Sequence, residues 1–197
     1  MQAPAGYRYA ADLFGDLDAQ PAWRFLLTAN LLALLPLGAA VGLLWLPYQL
    51  YVALGAPLAL FAEPDWPGWA RAAFALAALA GSVLAHEGLH GLALWAQGHT
   101  PRFGWASGYV YATIRAGDSL LRREYLRMVL APLVLMNLAG VGLLLGLPPG
   151  LGQTVALVLL LNAAASVGDL AVANRARRWP AQARFADAGT IRVYLPV

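Results

Sequence analysis

Three residues near the middle of the chain have the types and spacing of a metal-hydrolase site. They belong to the motif His86-Glu87-Gly88-Leu89-His90. Residues four apart on a helix lie on one face, so the two imidazoles can bind one metal ion. Glu87 would lie beside them, where a carboxylate can take a proton from a metal-bound water. The motif is therefore typical of a zinc hydrolase with Glu87 as catalytic acid and base.

The sequence around the motif is apolar enough for a membrane. Hydrophobic residues make up 60% of the 197 positions and charged residues only 12%, against about 25% in soluble domains. We therefore predict an all-α integral membrane protein. Ionisable groups in lipid are costly and usually functional, which strengthens the metal-site interpretation. No cysteine is present, so thiolate ligands and cysteine nucleophiles are excluded.

Apolar stretches predict about four transmembrane helices, because one span needs about 20 residues. The first stretch remains apolar as far as residue 62; we interpret its end as an interfacial or re-entrant piece, with two tightly joined spans as the alternative. Two aromatic pairs flank a glycine between spans 2 and 3, which predicts a short β-hairpin or loop. The predicted spans cover about residues 25–47, 70–96, 125–147 and 152–173, and the aromatic pairs are Phe103 with Trp105 and Tyr109 with Tyr111.

Arginine placement predicts the orientation of these spans. The basic residues are thirteen arginines, and most lie near the 98–123 connection or in the two terminal segments. The positive-inside rule then puts both termini and the hairpin in the cytoplasm, which requires an even number of spans. This topology explains the excess positive charge without nucleic-acid binding. We predict a polar cytoplasmic segment at 1–24, a membrane-embedded domain at 25–175 and a basic cytoplasmic tail at 176–197, in a prokaryotic-type cytoplasmic membrane.

Asp169 is the predicted third metal ligand. Spans 2 and 4 run in the same direction, and His90 and Asp169 lie at comparable distances from the ends of their spans, so their depths match. Asn162, Ser166 and Asp169 share one helix face. Two histidines and a carboxylate, with water in the fourth position, form a usual catalytic zinc site.

Three other residues are rival third ligands. They are Glu124, Asp118 and His99. His99 follows Gly98, which we expect to end the helix, so His99 is better explained as an interface histidine.

The chain resembles the small zincin-type membrane peptidases, which look like reduced relatives of the site-2 proteases. The resemblance covers residues 70–175 and implies that His86, His90 and Asp169 bind zinc and that Glu87 is the catalytic acid and base. The chain departs from the site-2 pattern of Asn-x-x-Pro leading to Asp-Gly. The resemblance is carried by His86-Glu87-Gly88-Leu89-His90, by Asn162 through Ser166-Val167-Gly168-Asp169, and by the aromatic hairpin between Gly98 and Arg115.

These observations predict a zinc-dependent intramembrane metallopeptidase that cleaves a peptide or membrane protein within the lipid bilayer. Asn162 is a candidate substrate or oxyanion contact, or an interhelical hydrogen-bonding group. The hairpin is either an interface loop or an edge that adds a substrate strand.

Two alternatives remain open. One is a non-proteolytic metal-binding membrane protein, such as a transporter or a pseudoprotease chaperone. The outer half of span 2 has no ionisable residue along residues 72–80, which counts against transport, and a pseudoprotease would usually have lost Glu87. The other alternative is a site that acts on an acyl or lipid substrate.

Overall fold

Helices make up most of the chain, and short strands form two small sheets. The structure, a computed structural model, describes residues 3–15, 22–55, 65–106, 109–115, 117–144, 146–187 and 190–197. The helices within these ranges are α1 (Ala22–Ala53), α2 (Gly68–Ala96), α3 (Arg122–Leu144), α4 (Pro149–Ala165) and α5 (Val167–Ala176). The strands are β1 (Tyr7–Asp12), β2 (Pro101–Ala106), β3 (Tyr109–Ile114), β4 (Leu120–Leu121), β5 (Arg184–Asp187) and β6 (Ile191–Pro196).

Three of the described helices are long and apolar enough to cross a membrane. They are α1 from Asn30 to Ala53, α2 and α3. The pair α4 and α5 also passes this test if the two helices form one span. The described residues therefore contain three to four candidate spans, consistent with a multi-pass membrane protein.

The fourth predicted span is bent by 42° between α4 and α5. The Ser166 hydroxyl lies at this bend and donates a hydrogen bond of 2.8 Å to the carbonyl of Asn162. A serine that bonds back to the carbonyl four residues earlier often bends a helix. The sequence pattern predicted the span but not the bend.

The helix of the first predicted span is longer than expected. α1 continues through Pro36 and Pro47 to Ala53, so it does not end at residue 47. Residues 48–53 are helical, and the end of the apolar stretch at 56–64 lies outside the described residues. Each proline removes one backbone hydrogen bond without necessarily ending the helix.

The fold is mostly helical, as predicted, but it is not all-α. A four-stranded antiparallel sheet with the order β1-β6-β5-β4 joins residues from both ends of the chain to the segment before α3. Burial does not alternate along these strands, because the neighbours Phe185 and Ala186 are both buried, as are Val193 and Tyr194. Strands of two to six residues give too short a pattern to be recognised beside the long apolar helices.

The predicted aromatic hairpin is present. β2 and β3 pair antiparallel, with Phe103 opposite Ala112 and Trp105 opposite Val110. Gly98 precedes the hairpin with φ 81°, and the His99 amide donates to the Leu94 carbonyl at 3.0 Å. This left-handed glycine ends α2, as expected from the sequence.

The chain divides into two compact units. The first contains Met1–Asn30, Glu87–Ala131 and Gly168–Val197, and the second Leu31–His86 and Pro132–Val167. In the first unit Tyr125 stacks on Phe185 with 4.7 Å between the ring centroids. In the second, the Tyr51 hydroxyl donates to the Leu144 carbonyl at 2.6 Å, near the end of α3.

Candidate metal centre

α2 carries both motif histidines on one face, one helical turn apart. His90 is only 6% exposed, and His86 and Glu87 are half-buried. Gly91 follows directly and allows close packing of the hairpin, because a Cβ at this position would collide with the Phe103 ring. The helix thus presents its imidazoles in a largely desolvated environment, where an unused polar group would be costly.

Asp169 lies in the first turn of α5 and meets the two histidines. Ligand atoms of His86, His90 and Asp169 all lie within 4.8 Å of one another. His90 Nε2 and Asp169 Oδ1 are 3.6 Å apart. Ligand distances of zinc to nitrogen and oxygen imply a separation of about 3.4 Å between neighbouring ligand atoms of a tetrahedral site. This donor set could therefore hold a zinc ion after only a small adjustment.

Hydrogen bonds indicate which nitrogen of each histidine can bind a metal ion. His90 Nδ1 lies 2.8 Å from the Met128 carbonyl oxygen, and His86 Nδ1 lies 2.8 Å from Asn162 Oδ1. Both partners are oxygens that only accept, so each Nδ1 must carry the proton. In the neutral ring, Nε2 is then the nitrogen with a lone pair for a metal. Metal-binding histidines in proteins are usually oriented in this way.

Asn162 forms an interhelical hydrogen bond, which is one of the two roles expected from the sequence. Its amide is only 4% exposed, and its oxygen contacts His86. Its Nδ2 lies 3.5 Å from the Pro132 carbonyl, within reach of a weak hydrogen bond. The structure thus places Asn162 behind His86. Its predicted contact with substrate or oxyanion stays a prediction.

Glu87 lies next to the two histidines in the chain but bonds to the hairpin. The Ala112 amide of β3 donates to Glu87 Oε2 at 2.8 Å. This bond fixes the carboxylate beside the outer edge of β3. A carboxylate held at a defined position is what proton transfer at the site would require.

The rival ligands lie elsewhere. Glu124 accepts a hydrogen bond from the Leu121 amide at 2.8 Å and lies 3.7 Å from His99 Nε2. Asp118 is exposed, in the segment before β4. Across the ranges that the structure describes, one group of three or more histidine, aspartate or glutamate side chains lies close enough to share a metal ion. It consists of His86, His90 and Asp169.

Two backbone groups of the site were missed by sequence reasoning, namely the Met128 carbonyl and the Ala112 amide. Every residue carries a carbonyl, so no residue type marks the one that orients a histidine. The signal that could have pointed to Met128 is Pro132, four residues later in an apolar helix.

Comparison with known proteins agrees with this geometry. Residues 79–184 match the family described as "Putative zincin peptidase". This segment includes the motif in α2, the hairpin, α3 and Asp169. No curated protein and no solved structure gave a significant match. Since the match covers more than half of the chain, the protein belongs to this family of zincin-type peptidases.

Proposed function

We propose that the protein is a zinc-dependent, membrane-embedded metallopeptidase. The observation that carries this proposal is the convergence of His86, His90 and Asp169, with Nδ1 of each histidine held by an acceptor oxygen. A zinc ion held by these side chains would act as a Lewis acid and lower the pKa of a coordinated water. Two histidines and one carboxylate leave a position open for that water.

Glu87 is the proposed proton carrier. Its carboxylate would take a proton from the attacking water and return it to the leaving amine. The Ala112 amide holds one oxygen of Glu87. The second oxygen can then receive the proton without loss of that bond.

The outer edge of β3 supports a peptide as substrate. In an antiparallel pair, the amide and carbonyl of a residue point to the same side. Since the Ala112 amide points at Glu87, the Ala112 carbonyl points outward as well, beside the proposed acid and base. Among the described strands, β3 pairs with β2 alone. An extended peptide could therefore add to β3 and bring its backbone to Glu87.

One sheet supports four membrane crossings. β1, β4 and β5 belong to the same sheet and must therefore lie on one side of a membrane. α1 and α2 separate β1 from β4, and α3 to α5 separate β4 from β5. A chain that returns to its starting side has crossed an even number of times. α3 is then one crossing and the bent pair α4–α5 another, with the sheet on the arginine-rich cytoplasmic side.

Metal analysis combined with peptide cleavage tests the proposed function. The detergent-purified protein is analysed for bound zinc, and cleavage is followed with a library of quenched fluorogenic peptides after reconstitution into liposomes. Glu87→Gln should keep its zinc and lose about 10²–10⁴-fold in cleavage rate, which is the usual contribution of a general acid or base. Asp169→Ala should lose zinc.

Glu124→Ala is the matched control. Glu124 belongs to the same unit as Asp169, but its carboxylate contacts His99 and not the motif histidines. It should retain both zinc and cleavage. Absence of stoichiometric zinc from the wild type would overturn the metal site. Stoichiometric zinc without cleavage of any peptide would instead favour the non-proteolytic metal-binding alternative.

A further inference from the structure

α3 contains one proline, Pro132, well inside the helix. In a regular α-helix, the amide of each residue donates to the carbonyl four residues earlier. Proline has no amide hydrogen. The carbonyl of Met128 therefore lacks its regular helical donor.

The Met128 carbonyl is the group that bonds to His90 Nδ1, at 2.8 Å. His90 is buried, and Pro132 is less than 2% exposed. A proline within a helix destabilises it, and burial gives no reason for proline rather than another apolar residue. The loss of helix stability is explained if the Met128 carbonyl, which the proline leaves without a helical donor, is needed to bind His90.

We propose that Pro132 is a positioning residue of the metal centre: it leaves the Met128 carbonyl open to receive the Nδ1–H of His90 and so holds His90 Nε2 towards Asp169. This inference rests on the metal site of the proposed function. With any other residue at position 132, the backbone amide would compete with His90 for the same oxygen. The imidazole would then be less firmly oriented.

The same turn of α3 also supports the second histidine. The Pro132 carbonyl lies 3.5 Å from Asn162 Nδ2, and Asn162 Oδ1 bonds to His86 Nδ1. Met128 acts on His90 directly, and Pro132 acts on His86 through the asparagine. One turn of helix thus supplies acceptors for both orienting contacts.

Pro132→Ala tests the proposal by restoring the missing amide. The apo protein is purified in detergent, and its zinc affinity is measured by competition with a chromogenic chelator. We expect about a tenfold loss of affinity, the lower end of what loss of an orienting contact costs. The melting temperature of the apo variant should equal or exceed that of the wild type, because the helix gains a hydrogen bond. A residue with a merely structural role would not combine an intact apo fold with weaker zinc binding.

Pro36→Ala is the matched control. Pro36 is also a buried proline within a long helix, and α1 contains no histidine, aspartate or glutamate. This variant should bind zinc as tightly as the wild type. Unchanged zinc affinity in Pro132→Ala would overturn the role of Pro132, whereas a wild type without zinc would overturn the metal site itself.

A measurement on the wild-type apo protein does not depend on how the variant folds. The ring nitrogens of ¹⁵N-labelled histidine report which nitrogen carries the proton. His90, assigned by the loss of its signals in His90→Gln, should carry the proton on Nδ1. In the neutral ring, a proton on Nε2 with none on Nδ1 would contradict the proposal.

Discussion

Asn162 and the Met128 carbonyl have the same role at the level of single residues. Each accepts the Nδ1–H of one histidine at 2.8 Å, and each thereby fixes a tautomer and a ring plane. The Asn162 side chain is itself buried, and its Nδ2 lies 3.5 Å from the Pro132 carbonyl. The orientation of His86 therefore depends on a side chain that contacts no metal.

Replacement of this amide should weaken metal binding. Asn162→Ala removes the acceptor of His86 Nδ1, and we expect zinc affinity to fall about 10–100-fold, as for other orienting partners of metal-binding histidines. Asn162→Asp keeps an acceptor oxygen and should recover most of the affinity. Chelator competition on the purified protein measures both.

Asn137→Ala is the control for this pair. Asn137 is a helical asparagine that donates to the Leu133 carbonyl within α3, so its removal should leave zinc affinity unchanged. If Asn162→Ala bound zinc normally but lost cleavage, Asn162 would contact the substrate and not support His86.

The side chains of the candidate centre could be predicted from the sequence, but their backbone partners could not. The four-residue spacing of His86 and His90 follows from helix geometry, and the matched depth pointed to Asp169. The Ala112 amide meets Glu87 only because the hairpin packs against Gly91 in a particular register. Such a contact depends on tertiary packing, which no local pattern encodes.

At the level of elements, α2 and β3 jointly define the proposed reaction site. α2 supplies Glu87 and both histidines, and β3 supplies the amide that holds Glu87. The helices were predictable because a long apolar segment in a membrane can satisfy its backbone hydrogen bonds within itself only as a helix. The bend at Ser166 and the short strands of the four-stranded sheet were not, because each depends on one or two contacts that form only in the folded chain.

Loss of the Ala112 amide should impair cleavage without loss of metal. Ala112→Pro removes the donor to Glu87, and proline is tolerated at a strand edge whose amide points away from the partner strand. A hydrogen bond to a charged group contributes about 1.5–3 kcal/mol, so we expect at least about a tenfold fall in kcat/KM for peptides. Zinc content should remain that of the wild type.

Ala112→Gly keeps the amide and should retain most of the activity. A comparable loss in both variants would mean that the Ala112 side chain matters, and not its amide. Full activity of Ala112→Pro would mean that Glu87 needs no such support.

At the level of the whole molecule, the four-stranded sheet links chain topology to the site. Its strands come from before α1, from the segment before α3 and from after α5, so any membrane arrangement must return the chain to one side after α2 and again after α5. Strand pairing alone requires this return, and the arginine distribution independently indicates the same topology. In the proposed topology, the bend between α4 and α5, directly before Asp169, would lie within a single crossing.

Accessibility of introduced cysteines tests this topology, and the sequence is suited to it because it contains no cysteine. Asp65→Cys lies before α2, Asp118→Cys before β4 and Gln182→Cys before β5; all three positions are exposed. In intact bacterial cells, a membrane-impermeant maleimide should label Asp65→Cys, whereas the other two variants should react only after lysis. Labelling of Asp118→Cys but not Gln182→Cys in intact cells would contradict the sheet, because the two positions flank paired strands. Labelling of both, with Asp65→Cys protected, would preserve the four crossings but reverse the orientation inferred from the arginines.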